Sequence, residues 1–222
     1  MGERSSRDAI GIDALSFKRG GQIVWEWHVW DHLVQHIDPT KDNYGVVADH
    51  PELVDINFGP TGQDWNHVNA IGYNADLDQI IISPRPFSEF WVIDHSTTTA
   101  QAAGHSGGNV GKGGDLLYRW GNPRAYGAGD SKDQTLFAQH DVRWIPDGSP
   151  GAGHLTVFNN GAGRRSGRYS SVVEFAPPID SKGNYRLEKG RAFAPSKPGW
   201  EYTAPRKTDF FSSHISGAER LP

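Results

Sequence analysis

Three histidines recur at a nearly constant interval along the chain. His67, His140 and His214 each follow small or polar residues and stand at the start of a strand-like segment, 73 and 74 residues apart. Imidazoles that converge on one place can bind an anion, relay protons or act as nucleophiles. A repeated histidine can equally be a structural element that bonds to the backbone of its neighbour. The interval itself predicts a repeat architecture.

A pair of arginines is the second candidate for chemistry. Arg164 and Arg165 close the stretch FNNGAGRR, whose glycines form a loop that can project a guanidinium. The planar guanidinium fork matches the oxygens of sulfate or phosphate. The same sequence is also compatible with a solvent-exposed arginine in a turn. The loop is therefore a candidate anion site only if a histidine cluster lies beside it.

The segment from Trp27 to His50 is the one part of the chain that could form a helix. His28, His32 and His36 would then lie on one helical face, where they could bind a metal ion. No carboxylate or cysteine pattern completes such a site. A connecting segment with surface histidines is therefore the competing interpretation.

The composition excludes several classes of protein. The 222 residues carry a net charge of −4 and no cysteine, so neither a disulfide framework nor a thiolate metal site is expected. No extended basic stripe indicates a nucleic-acid partner, and no run approaches the roughly 20 apolar residues of a membrane helix. The 27 glycines and eight tryptophans favour short strands and tight turns.

Strand patterns dominate, and they predict an all-β fold. The spacing of the strands predicts part of a β-propeller with four-stranded blades, in which equivalent histidines face one central channel. Residues 1–19 are set apart as an N-terminal segment, for which disorder is one interpretation. Residues 20–222 form the partial propeller domain, expected to be cut at both ends. The predicted strands are 22–27, then 68–73, 78–83, 89–94 and 116–120, then 141–145, 154–158, 171–175 and 185–188.

Four stretches together resemble the arylsulfate sulfotransferase-like family. They are residues 24–33 (VWEWHVWDHL), 64–71 (DWNHVNAI), 137–142 (FAQHDV) with 158–161 (FNNG), and 213–222 (SHISGAERLP). The resemblance runs from about residue 20 to residue 222. It implies a six-bladed propeller with a histidine-lined channel. It also implies transfer of a sulfuryl group between phenols through a sulfated histidine, without a nucleotide donor.

The resemblance also implies a role for each candidate residue. His67 resembles the first channel histidine and His140 the second, while His214 is the candidate nucleophile. Arg164 resembles the sulfate-binding arginine, with Arg165 as the alternative. The implied partners are a small-molecule aryl sulfate donor and a phenolic acceptor, with no cofactor, nucleic acid or membrane. The implied location is the periplasm or the exterior of the cell.

Two other functions compete with sulfuryl transfer. Many propellers are scaffolds, so a non-catalytic module that binds a ligand or partner is the main alternative. A metal-dependent hydrolase could use the same histidines, although only Asp64 and Asp141 supply carboxylates in the channel motifs. A sulfated histidine adduct would exclude the binding module, and loss of activity with a chelator would favour the hydrolase.

Overall fold

The computed structural model describes residues 14–62 and 64–221, and it consists mainly of β-strands. Two four-stranded antiparallel sheets are preceded along the chain by a two-stranded hairpin and a short two-stranded parallel sheet. The prediction of an all-β fold is confirmed at this level. Within the described ranges, no helix is both long enough and apolar enough to cross a membrane.

A hairpin opens the described part of the chain. Strand β1 (Ala14–Arg19) pairs with β2 (Gln22–His28). Gly20 and Gly21 join them with φ angles of 59° and 84°, the left-handed conformation that a tight hairpin turn requires. Strand β2 was predicted, whereas β1 lies in the N-terminal segment that the sequence analysis set apart. Residues 1–13 of that segment lie outside the described residues.

Residues 27–50, where a helix was one possibility, form mainly a connecting segment, because the chain leaves helical conformation after one turn. Leu33 is extended, with φ −102° and ψ 149°. The half-exposed His28, the buried His32 and the exposed His36 do not share a helical face, so the structure agrees with the connecting segment and not with the metal-binding alternative for these three histidines. The elements here are 3-10 helices at Val29–His32 and Val47–Asp49, and strands β3 (Leu33–Val34) and β4 (Val54–Asp55).

The first four-stranded sheet follows the sequence prediction closely. All positions of its second and third strands are buried, which explains their nearly continuous apolar sequence. A one-turn helix, α1 (Thr99–Ala102), lies between the third and fourth strands and begins with a capping box at Thr98. In spatial order the strands are β5 (Val68–Asn74), β6 (Gln79–Pro84), β7 (Phe90–Asp94) and β8 (Tyr118–Trp120).

The second sheet repeats this order with one difference from the prediction. Its fourth strand was predicted at residues 185–188, and that prediction is wrong. The strand that pairs beside the third one is 200–202, which includes Trp200. In spatial order the strands are β9 (His140–Trp144), β10 (Leu155–Asn159), β11 (Ser171–Phe175) and β12 (Trp200–Tyr202).

Tyr185 packs against the first sheet instead of extending the second. Its ring stacks on Tyr118, with centroids 4.7 Å apart and an interplanar angle of 12°. Its hydroxyl donates to Gln79 Oε1 at 2.8 Å, across 106 residues of sequence. Residues 179 and 185 form only an isolated bridge. An aromatic residue that makes a distant contact looks the same in the sequence as a buried residue of a strand. This explains why a strand was wrongly predicted at residues 185–188.

Aromatic side chains also join the two sheets directly. Trp120 lies 4.3 Å from Phe175, measured between ring centroids, and Phe90 stacks on the same ring at 6.3 Å. All three side chains are buried. The sheets therefore share one core, with β5 and β9 next to each other.

A fully buried ion pair lies beneath this contact. Glu89 and Arg119 are both 0% exposed, and Arg119 Nε donates to Glu89 Oε2 at 3.1 Å. Arg119 Nη1 also donates to the carbonyl of Leu53 at 2.7 Å, and Trp91 Nε1 donates to Glu89 Oε1 at 2.7 Å. Burial raises the pKa of Glu89, and the charge and hydrogen bonds of Arg119 oppose that rise.

Candidate functional site

The first strands of the two sheets each carry one of the repeated histidines at their start. His67 directly precedes β5, and His140 is the first residue of β9. Asn69 Nδ2 donates to the carbonyl of Gln139 at 2.8 Å. The Gln139 side chain donates to Ser83 Oγ of the first sheet at 3.0 Å. These two bonds fix the two strand starts, and with them the two histidines, relative to each other.

His140 is held as one neutral tautomer by its hydrogen bonds. Asn160 Nδ2 donates to the carbonyls of Ser212 and Ile215, both at 2.9 Å, so Asn160 Oδ1 faces the ring. His140 Nδ1 lies 2.7 Å from that oxygen and must donate to it. His140 Nε2 accepts the backbone N–H of Ile215 at 3.1 Å. The lone pair on Nε2 is thereby oriented toward the segment that contains the third histidine.

The electrostatic surroundings of His140 also favour the neutral ring. Burial lowers its pKa, and the charges of Arg85 and His67 lower it further, while the hydrogen bond to Asn160 opposes them. A neutral ring keeps this pattern, in which Nδ1 donates and Nε2 accepts, and so holds the segment that contains His214.

Arg85 is a residue of this site that the sequence analysis missed. Its backbone N–H donates to the carbonyl of His67 at 3.2 Å, and its charge acts on His140. The strand pairing could have indicated it. Antiparallel pairing of β5 with β6 places Val68 opposite Pro84, so Arg85, which follows Pro84, lies beside His67, which precedes Val68. The site therefore includes a cationic residue whose backbone is bonded to His67 and whose charge acts on His140.

His67 is oriented by a carboxylate. Its Nδ1 lies 2.5 Å from Asp64 Oδ2, and its side chain is 43% exposed. The backbone at His67 has a φ of 25°, an uncommon conformation that turns the residue out of the strand direction. With Nδ1–H donated to the carboxylate, Nε2 is the atom left to exchange a proton with a substrate.

The third histidine lies in an exposed segment that contacts the second. His214 Nδ1 is 2.8 Å from Ser213 Oγ, and the side chain of His214 is exposed. The next residue, Ile215, has a φ of 56°, and Asp141, which follows His140, has a φ of 53°. The residues after His140 and after His214 therefore share one backbone conformation, whereas in the first copy the positive φ lies at His67 itself. The structure brings the backbone of this segment to His140, with the His214 imidazole on the exposed side.

A cavity of about 640 Å³ opens beside His140. Three buried polar atoms of its lining have no hydrogen-bond partner in the part of the chain that the structure describes: Asn69 Oδ1, Trp144 Nε1 and Thr156 Oγ1. Unpaired buried polar groups are costly, and they are expected where a ligand or water completes them. The cavity therefore offers a hydrogen-bonding surface to a small polar molecule.

Arg164 lies in a different cavity, of about 510 Å³. Its guanidinium donates to Tyr169 Oη and Ser171 Oγ, each at 3.2 Å, and packs over the Tyr169 ring. Its Nε is buried without a partner among the described residues. The lining also includes three further cations, Lys132, Arg165 and Lys197, and one carboxylate, Glu201, which lies 4.0 Å from Arg164 Nη1. The structure does not bring Arg164 together with His140, because the two cavities share no lining residue.

One further group of side chains could hold a metal ion. His32, His105 and Asp115 place two imidazole nitrogens and a carboxylate oxygen within 4.8 Å of one another. This group was not predicted, because its members come together only in the folded chain.

Comparison with known proteins gives one consistent result. The family model described as arylsulfotransferase (ASST) matches residues 4–222. The arylsulfate sulfotransferase AssT of Lelliottia amnigena is 26% identical over 99% of this chain and 40% of its own length. The AssT of Escherichia coli O6:H1 is 27% identical over 89% of this chain and 36% of its own. The chain thus spans about two fifths of the length of these curated relatives.

Proposed function

Because the chain belongs to the arylsulfotransferase family, we propose that it takes part in moving a sulfuryl group from a phenolic sulfate ester to a phenolic acceptor, without a nucleotide donor. The observation that carries the proposal is the pair of histidines at equivalent strand starts, with His140 held neutral and Arg85 beside it. No cofactor is required for this reaction. The donor and acceptor are small aromatic molecules.

The two four-stranded sheets are neighbouring blades of a β-propeller. Their identical strand order, the adjacency of β5 and β9, and the matching position of their histidines support this architecture. The first strands of the blades then face the central channel, where His67 and His140 meet the substrate. The longer relatives have room for further blades.

His214 is the nucleophile of the proposed reaction. One nitrogen of its neutral imidazole attacks sulfur in line, the N–S bond forms, and the S–O bond to the aryl group breaks. In the second half-reaction the oxygen of the acceptor phenol attacks sulfur, and the imidazole leaves unchanged. The hydrogen bonds that join the backbone of residues 212–218 to His140, Asp141 and Asn160 support a position for His214 near the other two histidines.

Proton transfer falls to His67, with His140 as its neutral partner. A departing phenolate, whose conjugate acid has a pKa of about 10, is a better leaving group when it receives a proton. Protonated His67 gives that proton from Nε2, while Asp64 keeps the ring oriented through Nδ1. Neutral His67 then takes the proton of the acceptor phenol. His140 is a positioning residue in this scheme, because its Nδ1 donates to Asn160 and its Nε2 accepts the N–H of Ile215, the residue after His214.

Cationic side chains stabilise the sulfuryl oxygens. The loose transition state of phosphoryl transfer puts charge on peripheral oxygens, and sulfuryl transfer is chemically similar, so positioning and charge dominate catalysis. Arg164 is the sulfate-binding residue that the family resemblance suggests, and its neighbours Lys132, Arg165 and Lys197 favour an anion. Arg85 is the second candidate, because it lies beside His67 and His140.

The test is release of 4-nitrophenol from 4-nitrophenyl sulfate, with and without a phenol acceptor and with no nucleotide added. We expect acceptor-dependent release, its loss in His214→Ala, and a strong reduction in His67→Ala and His140→Ala. Arg85→Gln and Arg164→Gln distinguish the two cationic candidates. Replacement of the residue that holds the sulfuryl group should lower turnover more than replacement of the other. Normal turnover in His214→Ala would refute the assignment of His214 as the nucleophile.

Trapping with labelled sulfate separates catalysis from binding. An enzyme of this mechanism retains label on a histidine, whereas a non-catalytic propeller forms no adduct. Folded protein without release and without adduct would contradict the proposal. The intact protein is proposed to be periplasmic or secreted, and cell fractionation with detection of this chain tests that location.

A further inference from the structure

We propose that His32, His105 and Asp115 form a binding site for a divalent transition-metal ion of the zinc–iron class. The site is distinct from the proposed channel, and none of its members takes part in sulfuryl transfer. His32 belongs to the 3-10 helix after β2, while His105 and Asp115 flank the glycine-rich loop between α1 and β8.

The tautomer of His32 carries the argument. Its Nε2 lies 2.8 Å from the carbonyl oxygen of Ala102. A carbonyl oxygen can only accept, so Nε2 must carry the hydrogen. The ring is completely buried, and a neutral ring then presents the lone pair of Nδ1 to Asp115 Oδ1, only 2.9 Å away. Two electron-rich atoms face each other, and a cation between them makes the contact favourable.

The competing arrangement is a second proton on the His32 ring. It would place a full positive charge on a side chain that is 0% exposed, beside a carboxylate that is itself only 9% exposed, and burying both ions carries a desolvation cost. A metal ion supplies the positive charge and is ligated by both groups at once. Metal-bound histidines commonly donate their other N–H to a backbone carbonyl, as His32 does to Ala102.

His105 completes a three-ligand set. Its Nδ1 lies 2.7 Å from the same oxygen, Asp115 Oδ1, and its side chain is 63% exposed. Two imidazoles and a carboxylate are a donor set used for zinc and for iron. Ligands of a tetrahedral zinc lie about 3.3 Å apart, so each imidazole nitrogen needs to move only a few tenths of an ångström from Asp115 Oδ1, and the two nitrogens lie within 4.8 Å of each other.

The surroundings fit a built site. Trp27 stacks on His32, with an interplanar angle of 2°, and its Nε1 donates to the carbonyl of Gly114 at 2.7 Å. A Cβ at Gly114 would lie 2.0 Å from the Ala102 oxygen and 2.5 Å from His32 Nε2, so only glycine permits this approach. A cavity of about 320 Å³ is lined by His105 and gives an ion a route from solvent.

The experiment is calorimetric titration of the complete 222-residue chain with Zn²⁺ after removal of bound metal, with Co²⁺ as a spectroscopic probe. We expect one equivalent of Zn²⁺ to bind, and Co²⁺ to give visible absorption bands from nitrogen and oxygen ligands. His105→Ala should weaken binding about tenfold or more. The His105 side chain is exposed, so this variant should fold normally.

His50→Ala is the matched control. His50 lies in the same cavity and pairs with a carboxylate, Glu52, at 3.0 Å, but it is outside the cluster. Its loss should leave the affinity unchanged. No saturable binding by the wild-type chain would overturn the proposal, and so would equal affinity in His105→Ala and the wild type. Asp115→Asn tests the carboxylate and should also lose binding. These readouts do not depend on sulfuryl transfer.

Discussion

Replacement of Glu89 by glutamine removes the charge from the buried ion pair and keeps its shape. Arg119 retains its hydrogen bond to the Leu53 carbonyl and its position over the Tyr126 ring, 4.5 Å from the ring centroid. Neither contact neutralises the guanidinium. Breaking a buried pair in this way typically costs about 3–5 kcal/mol, because a charge is left without compensation. Since domains are stable by only about 5–15 kcal/mol, the loss is a large fraction of the total.

Urea unfolding monitored by tryptophan fluorescence measures this loss. With a slope of about 2 kcal/mol per molar urea, the midpoint of Glu89→Gln should fall by roughly 1.5–2.5 M. Asp209→Asn is the control, because it breaks an exposed ion pair. The side chain of Asp209 is 50% exposed and that of its partner Arg206 is 79% exposed. Exposed pairs contribute about 0–1 kcal/mol, so this control should barely move the midpoint.

A double variant tests whether charge is the cause. Glu89→Leu combined with Arg119→Met removes both ionised groups and fills the space with apolar side chains. Replacement of a buried pair by apolar residues is often neutral, so the double variant should recover most of the loss. If Glu89→Gln cost less than about 1 kcal/mol, or no more than the exposed control, the reasoning about uncompensated charge would be refuted.

Two further predictions concern the neighbourhood of His140. Gly161→Ala should cost about 2–4 kcal/mol in urea unfolding, because its Cβ would lie 1.9 Å from the Tyr169 carbonyl oxygen at a φ of +77°. Gly163→Ala, at a φ of +86° with open space around it, should cost only about 1 kcal/mol, and equal losses would contradict the steric argument. Because burial lowers the pKa of His140, its contribution to stability should be complete above the ordinary histidine pKa and fall as the pH drops through the lower folded value. His140→Gln can keep both hydrogen bonds but not the titration, so its free energy of unfolding should decline less than that of the wild type between pH 7.5 and pH 5, and identical slopes would count against the assignment.

The sequence predicted the strands whose burial is unambiguous. The runs in β6 and β7 are apolar because both faces of the sheet are covered, and they were placed within a residue or two. Two of the three repeated histidines, His67 and His140, were correctly located at strand starts, because a fixed interval survives the insertions between strands. No strand follows His214 in the described residues. A local pattern suffices where local structure and burial agree.

The sequence could not predict features that depend on distant contacts. Tyr185 has the sequence pattern of a strand residue, yet its partners are Tyr118 and Gln79 of the other sheet. The position of His32 could not be predicted either, because that histidine is fixed by Ala102 and Asp115, 70 and 83 residues away. Periodicity carries no information about such partners.

The same Tyr185 contact has a consequence for the order of events during synthesis. Strands β5–β8 can pair with their sequence neighbours as soon as they leave the ribosome, because each partner is the next strand along. The face that carries Tyr118 nevertheless stays uncovered until Tyr185 and Phe193 have been made, since these two rings pack against it. About seventy more residues must therefore be synthesised after β8 before the face of the first sheet that carries Tyr118 is covered. During this interval an apolar face is open to chaperones and to other nascent chains.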